Sequence, residues 1–277
     1  MTIAITGATG QLGRLAIAAL QARGATPIAL VRDTAKAADL GVPARAFDYR
    51  TADAAALEGV ETLVLISSND FDDRAGQHRK VIAAAKEAGV GRIIYTSILK
   101  GDASPMILAQ DHIATEAAIR DSGIAATILR NGWYTENYTG ALGAALEHGA
   151  ILGAAAEGRV STAARKDYAE AIAVTALDAG HAGKVYELAG DEGYTLAELA
   201  AEVARQSGKP VGFVNLPQAD YAKALEGFGL PAGFAAVLAD SDARAGEGAL
   251  FDDSRTLSRL IGRATTPMSA TVRDALA

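Results

Sequence analysis

The stretch Thr2-Ile-Ala-Ile-Thr6-Gly7-Ala8-Thr9-Gly10-Gln11-Leu12-Gly13 constrains this chain more than any other. A short apolar run breaks into three glycines spaced three apart, and Leu12, Leu15, Ala16, Ala19 and Leu20 follow at helical period. The segment therefore reads as strand, tight turn and helix. Gly7 lets the backbone turn off the strand, Gly10 leaves room for a group against the main chain, and Gly13 lets the helix lie close to the sheet. A helix that starts at such a turn presents free N–H groups and the positive end of its dipole, which suits the pyrophosphate of a dinucleotide.

Beyond that segment, apolar strands alternate with helical patterns. Residues 27–31, 44–49, 61–66, 92–97 and 126–130 read as strands, with one intervening helix carrying His78, Val81, Ile82 and Ala85 and another spanning 110–121. The run 61–66 is apolar on both faces, as a central parallel strand is. Repeated strand-helix units predict an α/β fold of Rossmann type, a doubly wound parallel sheet with right-handed crossovers, followed by a smaller, mostly helical C-terminal substrate lobe. The expected division is 1–131 for the dinucleotide domain and 132–277 for the substrate lobe, with about 150–190 returning to the sheet. Within 132–277 the pattern predicts a helix over 165–179, a strand over 184–188, and a capping box, Thr195-Leu-Ala-Glu198, heading a helix over 196–206.

Ligands of such sheets lie beyond the carboxyl ends of the strands, so the residues there are the candidates. Arg32 ends the second strand 19 residues past Gly13, near the spacing of about 20 at which an acid would grip the ribose 2′-hydroxyl of NAD. An arginine suits the 2′-phosphate of NADP instead, although the neighbouring Asp33 leaves NAD open. Ser67, Ser68 and Asn69 follow the fourth strand and either face the crevice or cap the next helix. Tyr95 and Ser97 end the fifth. The sixth runs into Asn131-Gly132-Trp133-Tyr134-Thr135-Glu136-Asn137-Tyr138, which holds the only tryptophan and two of the eight tyrosines. These aromatics form either a stacking surface for a flat ring or packing between lobes.

The remaining composition excludes several classes. Net charge is −7 with no run of lysine or arginine, so no nucleic-acid partner is expected. With no cysteine there are no disulfides, thiol nucleophiles or thiolate sites, and the four histidines do not fall at metal-ligand spacing, so no metal is expected. No apolar run approaches the roughly 20 residues of a membrane span, and the sequence enters its first strand without a charged n-region, which predicts a cytoplasmic protein without a membrane partner. None of the eight tyrosines has a lysine four residues on, so the Tyr-x-x-x-Lys pair that tunes a proton-shuttling tyrosine is missing. His112 and Glu116 stand where it would fall. His112 is either an acid or a helix-surface residue and reads as the latter, and no catalytic residue is assigned.

Thr6-Gly-Ala-Thr-Gly-Gln-Leu-Gly13, Val31-Arg32, Leu65-Ile-Ser-Ser68, Gln77-His78, Tyr95-Thr-Ser97, Leu129-Arg-Asn-Gly-Trp-Tyr134 and Leu250-Phe-Asp-Asp-Ser254 together resemble the NmrA-like atypical short-chain dehydrogenases, and within them the quinone reductases. The resemblance implies an NADP(H) cofactor and NADPH-dependent reduction of a small-molecule quinone. It implies that Gly7, Ala8, Thr9, Gly10, Gln11, Leu12 and Arg32 hold the cofactor's phosphates. Asn69, Asp70, Phe71, Asn131, Gly132, Trp133, Tyr134, Thr135, Glu136 and Arg165 would line its remaining length. Position and residue type offer Tyr95, Trp133 and Tyr134 as the ring surface, and Asn131 or Asn137 as the group that hydrogen-bonds a quinone oxygen. Three readings stand: a quinone reductase, a redox sensor that binds the dinucleotide without turnover, and a reductase of another conjugated acceptor such as a dye. A homodimer is an admissible assembly for each.

Overall fold

The computed structural model describes residues 1–277. In chain order its strands are β1 (Ile3–Ile5), β2 (Ile28–Val31), β3 (Ala44–Ala46), β4 (Thr62–Leu65), β5 (Arg92–Ile98), β6 (Ala125–Asn131), β7 (Ala150–Gly153), β8 (Arg159–Val160), β9 (Val185–Leu188), β10 (Tyr194–Thr195) and β11 (Gly212–Asn215). Its helices are α1 (Gln11–Gln21), α2 (Arg74–Glu87), α3 (Ala109–Ser122), α4 (Thr135–Thr139), α5 (Leu142–His148), α6 (Arg165–Leu177), α7 (Leu196–Ser207), α8 (Gln218–Gly227), α9 (Ala232–Gly246), α10 (Thr256–Ile261) and α11 (Met268–Leu276). The chain divides into two units, the first made of Met1–Gly101, Asp111–Asn131 and Arg165–Tyr186, the second of Asp102–Gln110, Gly132–Ala164 and Glu187–Ala277.

The first unit is organised by a seven-stranded sheet in the order β3-β2-β1-β4-β5-β6-β9. The registered pairs are parallel, with Ile5 opposite Ala29 of β2 and Val64 of β4. Because the chain runs outward from β1 to β3 and then returns to β4, the strand order reverses between β1 and β4, and the turn after β1 opens at that point. Ala4, Leu63, Leu65, Ile93, Tyr95 and Ile128 alternate onto one face, where Val81, Ile82 and Ala85 of α2 and Ile119 of α3 close the core. Each fully buried valine, leucine or isoleucine among them contributes about 1.5–3 kcal/mol. On the other face α6 packs against α1 and against β4, β5 and β6. Arg92, 6% exposed, fastens the carboxyl end of α6 by donating to the carbonyls of Ala176 (2.7 Å) and Asp178 (2.8 Å).

Two boundaries differ from expectation. The third strand stops at Ala46 because Asp48 starts a turn: its Oδ1 accepts the Arg50 N–H at 2.9 Å and its carbonyl the Ala52 N–H at 2.7 Å. Of the stretch 150–190, only the part from α6 onward joins the main sheet. β7 and β8 instead form two-stranded sheets with β11 and β10.

The second unit holds helices α4, α5 and α7 to α11 with those two small sheets. Its capping box forms as expected, Thr195 Oγ1 accepting the Glu198 N–H at 3.1 Å while Glu198 Oε2 accepts the Thr195 N–H at 2.8 Å. That box fixes the start of α7 directly after β10.

Candidate active site

In the first unit, Gly7 takes a left-handed backbone (φ +60°), and its carbonyl accepts the Gly10 N–H at 2.9 Å, closing the turn. A Cβ on Gly13 would stand 2.8 Å from the Ala8 Cα, so only glycine lets α1 begin this close to the turn. Gly10, with φ −73°, is the helix N-cap, and no side chain caps it. The first turn of α1 carries no acidic residue either, so its leading N–H groups meet no side-chain acceptor. Gly10 and Gln11 are exposed and Thr9 half-exposed, whereas Ala8 and Leu12 are buried.

Strands β2 and β4 flank β1, which brings Arg32 and the segment 67–73 to the same sheet edge as the glycine turn. Arg32 is exposed and has no hydrogen bond or ion pair. Asp33 is occupied, its side chain accepting the Ala35 N–H at 3.0 Å as the cap of the turn over Thr34–Leu40. Asn69 is exposed. Asp70 accepts from Arg50 at 2.8 Å and from Gln77 at 2.6 Å, and the Arg50 guanidinium, helped by Gln77, holds its carboxyl down at about 2. Phe71 lies under the Arg74 guanidinium, 4.4 Å from ring centroid to Cζ.

The serines do not cap α2, whose N-cap is Asp73. Ser68 Oγ donates to Gln77 Oε1 and its N–H donates to His78 Nε2, both at 2.9 Å, while the Ser67 N–H donates to Thr96 Oγ1 at 2.9 Å. They serve instead to tie the loop to α2 and β5. Thr6 adds a further tie, its Oγ1 accepting the Ile66 N–H at 3.0 Å. Sequence reasoning overlooked Thr6, Thr96 and Arg74; the signal for the first two was a polar residue inside an otherwise apolar strand.

Two rungs join β5 to α3. Tyr95 Oη and His112 Nδ1 share a hydrogen bond of 2.8 Å, and Ser97 Oγ donates to Glu116 Oε1 at 2.5 Å. Residues two apart on a strand share a face, and residues four apart on a helix share a stripe, so the rungs are parallel. This overturns two expectations. Tyr95 is 0% exposed and cannot offer its ring face to a substrate, because its position on the strand turns it into the core under α3. His112 is 5% exposed and lies inside the fold; burial, together with the Arg74 charge and His78, pushes its pKa well below the usual histidine value. His78 behaves alike: its Nε2 accepts from Ser68, so its proton sits on Nδ1, which donates to Thr115 Oγ1 at 2.9 Å. Burial, with the Arg74 charge beside it, lowers His78 to about 3.

At the end of β6, Asn131 is 5% exposed, and neither its Nδ2 nor its Oδ1 has a hydrogen-bond partner. An amide buried with both ends unpaired costs free energy unless a ligand completes it. Arg165 opens α6 and is half-exposed.

In the second unit, Gly132 donates its N–H to the Leu188 carbonyl at 2.7 Å, and Tyr134 pairs with Ala163 as an isolated parallel bridge. Trp133, Tyr134 and Glu136 are half-exposed, Thr135 is buried and Asn137 is exposed. Of the three ring-surface candidates, then, Trp133 and Tyr134 keep accessible surface.

The model of the NmrA-like family matches residues 1–271. The chain is 54% identical over 277 residues to quinone oxidoreductase 2 of Escherichia coli (strain K12), covering 98% of this chain and 97% of that protein. A crystal structure of the NADPH-dependent quinone oxidoreductase of Escherichia coli complexed with NADPH superposes with a TM-score of 0.95 at 53% identity, over 100% of both chains. Triphenylmethane reductase of Citrobacter sp. complexed with NADP(H) superposes at 0.93 with 36% identity, over 99% of this chain and 100% of that one. By family model, sequence and structure together, this chain belongs to the NmrA-like family.

Proposed function

We propose that the protein is an NADPH-dependent quinone oxidoreductase. The observation that carries this reading is the fate of His112 and Glu116, which stand where a tuned proton donor would be required and are both consumed by buried contacts. A reaction suited to this chain needs binding and orientation more than a protein acid, and reduction of a quinone is such a reaction. The relative that is 54% identical bears that activity in its name.

Three features fit the phosphates and amide of a dinucleotide: the uncapped head of α1, the unpaired Arg32 and the unpaired Asn131 amide. Gly7, Ala8, Thr9, Gly10, Gln11, Leu12 and Arg32 would hold phosphate, with Asn69, Phe71, Asn131, the segment 132–136 and Arg165 along the rest of the cofactor. Asp70, already engaged by Arg50 and Gln77, shapes that loop. Bound there, the reduced nicotinamide supplies hydride chemistry. Trp133 and Tyr134 present ring surface to the acceptor, Asn137 offers its amide to a quinone oxygen, and the second proton of the hydroquinone comes from water.

No helix of the chain is long and apolar enough to cross a membrane. The reading includes a cytoplasmic setting. Anaerobic stopped-flow mixing of the NADPH-loaded protein with a small quinone tests it, with a cationic triphenylmethane dye as the comparison acceptor. One NADPH oxidised per quinone reduced is expected, and Gly10→Val, whose side chain would intrude on the pyrophosphate, should abolish it. A protein that binds NADPH and oxidises it with neither acceptor is a sensor instead.

A further inference from the structure

Trp133, Tyr134 and Asn137 sit on a segment with little structure of its own. α4 covers only Thr135–Thr139, and Tyr134 at its N-cap supplies no side-chain cap. Isolated helices shorter than about 12–15 residues are marginal, so contacts from elsewhere must seat this one. Part of the seat is backbone: the Ala163 N–H donates to the Trp133 carbonyl at 3.2 Å, and the Thr135 N–H to the Ala163 carbonyl at 3.0 Å. The far end is held by Tyr138, whose hydroxyl donates to Asp242 Oδ1 at 3.2 Å.

Beside the backbone seam runs a ladder of three hydroxyls. Thr135 Oγ1 lies 2.7 Å from Thr162 Oγ1, which lies 2.6 Å from Tyr194 Oη. Their exposures are 0%, 5% and 5%, and each satisfies the next. The ladder starts on regular structure, because Tyr194 pairs with Val160 across β8 and β10 and is followed at once by the capping box of α7. It ends on the first residue of α4. Thr162 and Tyr194 also border a cavity of about 240 Å³ lined by residues 264–268, so dense packing does not clamp the ladder on that side. The hydroxyl contacts set its spacing.

We propose that Tyr194 and Thr162 are positioning residues for the acceptor-binding aromatics, fixing Trp133 and Tyr134 through Thr135 and thereby setting the preference for flat ring acceptors. Neither residue is among those assigned to the cofactor or the acceptor. The proposal rests on the quinone-reductase reading for the identity of that acceptor.

Thr162→Val and Thr162→Ser form the central pair of a test, since valine keeps the shape and loses the hydroxyl while serine keeps the hydroxyl. With Tyr194→Phe the quinone KM should rise about 3- to 10-fold, the loss expected for one hydrogen bond, and with Thr162→Val, which removes both contacts, at least as much, with kcat within about twofold in each. NADPH affinity, read by titration, should fall by less than the quinone KM rises, because the phosphate grip at residues 7–12 and 32 is untouched while the segment 132–136 lines only part of the cofactor. Acrylamide quenching of fluorescence from Trp133, the only tryptophan, should increase. Thr162→Ser should retain wild-type KM and quenching. The proposal is overturned if the valine and phenylalanine variants match wild type in KM and quenching, if serine is as impaired as valine, or if NADPH affinity falls as much as the quinone KM rises. Quenching needs no turnover, so a wild-type protein that reduces no quinone would defeat the functional reading while quenching still decides the ladder.

Discussion

Arg130 lays its guanidinium along the Glu116 carboxylate in two parallel hydrogen bonds, Nε to Oε1 at 3.0 Å and Nη2 to Oε2 at 2.7 Å. The pair is largely buried, with side-chain exposures of 18% and 9%. Gly101 makes room for it, because a Cβ there would run into the guanidinium. With Ser97 as a third partner, Glu116 is a fastener between α3, β5 and β6. Glu116→Gln should therefore cost about 3–5 kcal/mol of stability, the range for removing one partner of a buried ion pair. Urea unfolding checks it; a loss under about 1 kcal/mol would mean the pair is effectively solvated.

His112 occupies the remaining position at which an acid could be sought, and its hydrogen bond goes to Tyr95. His112→Ala should slow single-turnover quinone reduction by less than about tenfold, or ~1.4 kcal/mol of barrier. Removing a true general acid costs about 10²–10⁴-fold. A collapse of the chemical step, with loss of an acid limb from the wild-type profile across about pH 5.5–8.5, would make His112 the donor.

The buried histidines also predict an acid-sensitive fold. Unfolded, His78 titrates near the ordinary histidine value of about 6.5; folded, it stays neutral down to about 3. Its folded pKa is depressed, so its contribution to stability is complete above about 6.5 and is lost as pH falls toward 3. In that window the unfolded chain binds a proton that the folded chain refuses, at about 1.4 kcal/mol per pH unit for each such group. His112 is shifted in the same direction. Denaturation at pH 7 and pH 5 should show this fall, and His112→Asn should make it shallower. A flat profile between pH 6.5 and 4.5 would show that neither ring is held neutral.

Cofactor choice turns on Arg32, exposed and unpaired, beside an Asp33 engaged in capping. Arg32→Glu should weaken NADPH binding by about 1.5–3 kcal/mol, the worth of a charge-assisted contact, and leave NADH nearly unchanged. Titration of both dinucleotides decides it, and equal losses would remove Arg32 from the 2′-phosphate.

What the sequence alone determined is local. A left-handed turn at residue 7, a helix that must start hard against Ala8, alternating apolar strands and a capping box at Thr195 are each dictated by residues within a few positions of one another. Local sterics and periodicity carry that information, so the parallel sheet and the glycine turn were legible, whereas the strand order was not. The tertiary structure decided where polar side chains spend their hydrogen bonds. Tyr95 looked like an edge aromatic and His112 like a surface residue until α3 was laid over β5, because strand and helix patterns say which residues share a face but not which faces meet. The same limit hid the Thr135–Thr162–Tyr194 ladder and sent β7 and β8 to partners outside the main sheet. Those contacts join residues distant along the chain, and only the packing of whole elements brings them within 3 Å.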